Sequence, residues 1–219
     1  MKKILMTLTA LIALNSWADC PQFYPKGIAV PANTVELCSS FFVNRFDKNN
    51  KATIMSVELL DKSNGAPGTE RINVFYSDPR VGKSSPTNAD YSKSGFDRGH
   101  MAPAGDASDS SQMRDTFALT NMTPQEPTLN RNSWKQLEEH IRKDFVNGTT
   151  NLKIVTLAIY TKPVKRIGAN IPVPSGYWKV VYKNDVATKF YYASNKYKAL
   201  VTEYTSIYVD QLIKNSTNF

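Results

Sequence analysis

Cysteine and histidine are the scarce residues of this chain, at two each in 219 positions. A metal site made of Cys20 and Cys38 would have no histidine near it, and neither cysteine has a histidine beside it for nucleophilic catalysis. The pair therefore reads as a disulfide, closing a short loop for about 3 kcal/mol in the chain-entropy picture. Other absences remove whole chemistries. There is no H-E-x-x-H, no G-x-S-x-G and no Walker-type glycine loop, so zinc-protease, hydrolase-elbow and nucleotide-loop sites lack their anchors. No repeat, low-complexity block or long linker interrupts the sequence. Beyond the first residues, no stretch is long and apolar enough to span a bilayer. With 41% hydrophobic and 21% charged residues, disorder is excluded as the default, and the length suits one domain.

The N-terminus MKKILMTLTALIALNSWA has two lysines, an apolar run from Ile4 to Leu14, then Ser16-Trp17-Ala18. Basic start, short apolar core and small residues at the −3 and −1 positions make a secretory signal. As helix, that run spans only about 16 Å, roughly half of a bilayer core. Residues 1–18 are expected to be a signal peptide and residues 19–219 the mature single domain, secreted or periplasmic, without a membrane contact. Asp19 ahead of Cys20 speaks against a lipoprotein site. The formal charge of +8, with a pI of about 9.4, falls to +6 once Lys2 and Lys3 are removed. An anionic partner such as nucleic acid or membrane headgroups suits that balance.

Residues 52–60 and 71–77 read as strands rich in β-branched and aromatic side chains, with turn signals at 62–68. Residues 78–95 are polar and turn-rich, a loop. Segments 152–161, 177–183 and 187–194 read as further strands, and 202–213 as a C-terminal helix. A short helix is expected over 112–119 and a longer one over 132–148. In the latter, Trp134, Leu137, Ile141 and Phe145 recur at helical spacing; Asn132 or Ser133 can cap its start and Gly148 its end. The expected class is α+β with a central antiparallel β-sheet flanked by helices.

His100 lies in SGFDRGHMAPAGD, residues 94–106. An imidazole can take a proton near neutral pH, Gly99 permits an unusual backbone angle or close substrate approach, and Arg98 offers a planar fork to phosphate oxygens. Asp97 could orient Arg98 or satisfy loop amides. A histidine that only packs a turn is the plainer alternative. Asn130 sits just ahead of the longer helix, and its amide oxygen is a hard ligand suited to Mg²⁺. Glu138 and Arg142, four apart, could hold water and phosphate, or form an ordinary exposed ion pair. Asn121 could brace the site through its amide or simply turn the chain. His140, between charged neighbours, reads as a solvated face residue.

With SGFDRGHMAPAGD followed by TFALTNMTPQEPTLNRNSWKQLEEHIR, the chain resembles the DNA/RNA non-specific endonucleases of the ββα-metal type. The resemblance rests on D-R-G-H, N-x-x-P-Q and L-N-x-x-x-W-x-x-L-E segments in order. It is strong over Ser94–Arg142 and weaker over 72–78 and 171–181. It implies a central antiparallel sheet with a ββα active-site element. It also implies His100 as general base, Asn130 as the direct ligand of Mg²⁺, with Mn²⁺ as a substitute, and Glu138 as the acid that holds water in the ion's shell. Arg98, Asn121 and Arg142 would support the site or the phosphate, and Arg71 is the candidate for an upstream arginine. The implied reaction is hydrolysis of DNA and RNA to 5′-phosphorylated products. A glycine–proline pair that many relatives carry at a strand end is missing from 155–164, which bears on substrate preference. A non-catalytic nucleic-acid-binding relative and a secreted effector with another anionic substrate are the rival readings. An inhibitor protein is compatible with either, and the oligomeric state is open.

Overall fold

The computed structural model describes residues 19–60, 69–146 and 151–216. The expected leader at 1–18, the turn at 62–68, Gly148 and the side chain of Phe145 lie outside what is described. In chain order the elements are β1 (Val35–Cys38), β2 (Phe42–Asp47), β3 (Ala52–Leu60), α1 (Asn88–Tyr91), β4 (Asp97–His100), α2 (Ser110–Thr116) and β5 (Met122–Gln125). There follow α3 (Lys135–Val146), β6 (Leu152–Ile159), β7 (Arg166–Ile167), β8 (Ile171–Pro172), β9 (Gly176–Lys183), β10 (Val186–Ser194), β11 (Thr202–Tyr204) and α4 (Val209–Asn215).

Seven strands form one antiparallel sheet in the order β1-β2-β3-β6-β9-β10-β11. Both faces are covered, so the central strands read as near-continuous apolar runs instead of alternating. One face packs Val43, Met55, Val57, Val155, Leu157 and Val180 against Phe23 and Ile213. The other packs Phe42, Ile54, Leu60, Ile154 and Val181 against Leu137, Ile141 and Trp134. The expected stripe on α3 is thus the buried one, with Trp134 at 1% exposure. Cys20 and Cys38 are joined in a disulfide that ties the N-terminal segment to the end of β1. No described helix is long and apolar enough to cross a membrane.

Several expectations are corrected. Residues 71–77 join no sheet: only Tyr76 bridges Ala118, because β3 already pairs with β2 and β6 and leaves no edge for them. The span 202–213 is not one helix. Thr202–Tyr204 pairs with β10 as an edge strand, and α4 begins only at Val209. The loop at 78–95 contains a 3₁₀ segment (Pro79–Ser84) and α1, the latter opened by a reciprocal Thr87–Asp90 capping box. The short helix starts earlier than expected, because Asp109 accepts a hydrogen bond from the Gln112 amide and caps it. The long helix is entered through a π turn over Leu129–Trp134. Neither Asn132 nor Ser133 caps it, since both side chains donate to carbonyls, of Thr128 and Ala199. The Glu126 carboxylate takes that role, accepting from the Leu129 amide at 2.9 Å.

Candidate active site

β4 and β5 pair from Asp97–Gln125 to His100–Met122, and the chain then turns into α3, giving the ββα arrangement. Gly99 is required by this pairing and not by an unusual backbone angle. A Cβ there would meet the Gln125 side chain, with Gln125 Cβ at 2.5 Å. Between the hairpin and α3 lies a cleft of about 930 Å³, lined by His100, Asn130, Glu138 and the arginines 71, 98, 131 and 142. The structure therefore gathers in one cleft every singled-out site residue except Asn121 and the disulfide cysteines.

His100 sits among rings. Phe117 meets it edge-on at 5.1 Å and Phe75 tilted at 6.1 Å. Arg71 stacks on Phe117 at 5.2 Å, and Arg98 on Phe75 at 4.2 Å while donating to Asn88 Oδ1. The His100 Nε2 atom is buried without a hydrogen-bond partner among the described residues. Burial, then the Arg71 charge, lowers its pKa to about 3. Burial thus holds the imidazole in its neutral form and opposes its protonation.

Asn121 is fully buried behind the cleft. Its Oδ1 accepts from the Ala102 amide at 3.0 Å, and its Nδ2 donates to the carbonyls of Ala102 and Thr116 at 2.9 Å each. It holds the segment leaving His100 and does not line the cleft.

Asn130 lies in the π turn, a distortion that recurs at functional sites. Its Nδ2 donates to Asp97 Oδ2 at 2.9 Å, which fixes the amide so that Oδ1 is the end left for a ligand. Asp97 is gripped by Arg131 at 2.6 and 2.8 Å. Burial pushes the Asp97 pKa up, but the hydrogen bonds from Arg131 and Asn130 outweigh it and hold this carboxyl below the usual range. Asp97 accepts from Asn130 and Arg131, where the sequence offered Arg98 or the loop amides as its partners.

Glu138 and Arg142 do not form the exposed pair their spacing allows. Arg142 Nε donates to Asp106 at 2.5 Å and its guanidinium covers Gly105. Glu138 Oε1 is buried, accepts no hydrogen bond among the described residues, and lies 3.9 Å from Lys179 Nζ. Burial raises the Glu138 pKa to about 7, with Lys179 opposing and Asp106 adding to the shift. His140 pairs with Asp144 on the exposed side of α3.

The donors suit a hard cation: one neutral amide oxygen on Asn130, and the carboxyl of Glu138 in the same cleft. The only His/Cys/Asp/Glu cluster among the described residues is Cys20, Glu36 and Cys38, where the disulfide uses both sulfurs. Sequence reasoning missed Phe75 and Phe117 around His100, Asp106 behind Arg142, and the buried Lys179 and Glu58. The last two carried a readable signal, being single charges inside the apolar runs at 177–182 and 52–60.

Residues 20–216 match the sequence profile of the family described as DNA/RNA non-specific endonuclease. A nuclease of Nostoc sp. is 36% identical over 138 residues, covering 61% of this chain and 49% of that protein. Human mitochondrial endonuclease G is 36% identical over 118 residues, covering 53% of this chain and 37% of that protein. The chain thus spans about half or less of the length of these relatives. A crystal structure of the EndoG/EndoGI complex, described as showing the mechanism of EndoG inhibition, superposes with a TM-score of 0.69 at 26% identity. It covers 80% of this chain and 79% of that one. The chain belongs to the DNA/RNA non-specific endonuclease family.

Proposed function

We propose that this protein is an endonuclease that hydrolyses phosphodiester bonds of DNA and RNA, leaving 5′-phosphates, with a divalent cation as cofactor. The observation that carries the reading is a neutral imidazole, His100, in the same arginine-lined cleft as Asn130 and Glu138. His100 takes a proton from water, which attacks phosphorus in line. Entry of the anionic phosphate offsets the Arg71 charge, the smaller of the two causes that depress the imidazole, while burial, the larger, stays in place. Arg71, Arg98 and Arg142 hold phosphate oxygens; Arg142 is aimed by Asp106, and Arg98 by the Phe75 ring and Asn88. Asn121 acts through the backbone of Ala102. Asn130 Oδ1 would hold Mg²⁺, or Mn²⁺ in its place, and Glu138 would accept hydrogen bonds from water in its shell. When bound, the ion supplies charge stabilisation at the phosphate and the leaving oxygen.

Phosphate contacts position a polynucleotide without reading bases, so cutting of both sugars is expected, and binding that weakens steeply with salt. Export behind a cleaved leader at 1–18, and control by an inhibitor protein, belong to the same reading. The test uses purified residues 19–219 with supercoiled plasmid and with total RNA, with and without EDTA, beside His100→Ala. Cutting of both substrates that stops in EDTA and in the variant supports the proposal. Salt-sensitive binding by the folded protein without cutting, in Mg²⁺ or Mn²⁺, would replace it by the non-catalytic binder.

A further inference from the structure

One row of paired residues on the α3 side of the large sheet is polar across five strands. Asn44, Ser56, Thr156, Lys179 and Tyr191, on β2, β3, β6, β9 and β10, are register partners in succession. All five are buried. Their neighbours on that face include Phe42, Ile54, Ile154, Ala158, Tyr177 and Val181, which build the core against α3. Glu58, fully buried, adjoins the row from β3. A lysine and a glutamate at 1% exposure or less carry a desolvation penalty that well-packed apolar residues would avoid. The fold alone does not call for them.

The row meets the cleft at Lys179. Its Nζ donates to Thr156 Oγ1 at 2.9 Å, stands 5.5 Å over the Trp134 ring, and lies between two carboxyl groups, Glu58 at 3.7 Å, whose pKa burial pushes well above the usual range, and Glu138 at 3.9 Å. The other charged groups acting on Glu138 are Asp106, Arg142 and Arg71. Asp106 also faces Glu58, and its Oδ1 accepts from Arg142. Glu138 Oε1 accepts no hydrogen bond among the described residues, and Lys179, at 3.9 Å, is its counter-ion from the buried side.

We propose that Lys179 is a positioning residue for the reaction: anchored by Thr156 and Glu58 on the sheet, it holds Glu138 as an oriented carboxylate at the cleft floor. This rests on the nuclease reading above. Lys179 touches no substrate, and its effect reaches the reaction only through Glu138.

The test compares wild type, K179M, K179R, E138Q and K179M/E138Q. In EDTA, their melting temperatures are measured at pH 8 and pH 5. Coupling between the two sites on the order of 3 °C is expected at pH 8, shrinking at pH 5 where Glu138 is neutral in either background. With Mg²⁺ and a plasmid substrate, K179M is expected to lower kcat by about 10- to 100-fold with KM little changed, its rate rising only at higher pH than in wild type; K179R recovers part of the loss. Should K179M fail to fold, E58L/K179M, which leaves no lone buried carboxylate on the sheet, takes its place with the same loss of kcat expected. Additive melting shifts overturn the proposal, and so does coupling with an unchanged kcat, which would make Lys179 structural only. Wild-type protein that cuts no nucleic acid in Mg²⁺ or Mn²⁺ overturns the nuclease reading, and this proposal with it. Wild-type cutting matched by K179M overturns this proposal alone.

Discussion

The two faces of the large sheet are built from the same strands and look unlike each other. Toward Phe23 and Ile213, the core of the face is apolar, with Val43, Met55, Val57, Val155, Leu157 and Val180, and the charged residues beside it, Arg45 and Lys153, are paired with Glu36 and Asp185. Toward α3, the apolar core is crossed by a buried polar row and closed by the cleft that holds His100, Asn130 and Glu138. Burial stabilises the first face by the apolar area it removes from water. On the second, the same burial is turned to chemistry: it keeps His100 neutral and lifts Glu138 toward neutrality. The difference separates residues that hold the fold from residues the fold holds.

That separation can be broken in order of effect. His100→Ala is expected to slow cutting by about 10²- to 10⁴-fold, while its urea midpoint at neutral pH moves little. The variant should also resist acid better. The folded imidazole has its pKa lowered to about 3, so wild-type stability is complete above about 6.5 and is lost as pH falls from there, where the unfolded chain takes up a proton that the buried ring refuses. Chemical unfolding between pH 7 and pH 4 measures this; equal acid sensitivity in both proteins would contradict the burial argument. On the opposite face, Leu157→Ala should lower stability by about 2–5 kcal/mol in urea titration and leave kcat of the folded fraction unchanged.

Glu138→Gln sharpens the comparison through its sign. With the folded pKa raised to about 7, the stability tied to this carboxyl is full below about 4.5 and is lost as pH rises through 7. In EDTA the variant should therefore gain up to about 3 kcal/mol over wild type at pH 8.5 and nothing at pH 4, while losing activity. The smallest expected effect is at Asp97. Asp97→Ala frees the Asn130 amide and should raise the cation concentration for half-maximal activity by about 10- to 100-fold, the range for orienting partners of ligands. An unchanged requirement would mean that Asn130 is aligned by its backbone alone.

Most of the candidate site was legible because its residues are close in sequence: Asp97 to His100 lie on one strand, and Asn130 to Arg142 on the π turn and the helix it opens. The strands at 52–60 and 152–159 were legible from length and β-branched content. Residues 71–77 have the same composition and pair with nothing but Ala118, because strand status there depends on a vacant edge, which is a property of the whole sheet. Thr202–Tyr204 is strand because β10 offers such an edge. Glu126 took the capping role from Asn132 and Ser133 because the π turn starts the helix earlier. The polar row was the least legible feature. Each member is one polar residue in one strand, and only the register of five strands brings Asn44 and Tyr191 into line with Lys179.

The proposed reaction depends on His100 as a neutral base in a cation-dependent cleft. The most direct measurement is imidazole rescue of His100→Ala on plasmid DNA with Mg²⁺. Added imidazole is expected to restore cutting in proportion to its unprotonated fraction, and EDTA to abolish the restored activity. Full activity in the variant without imidazole, or cutting by wild type that EDTA leaves intact, would contradict it.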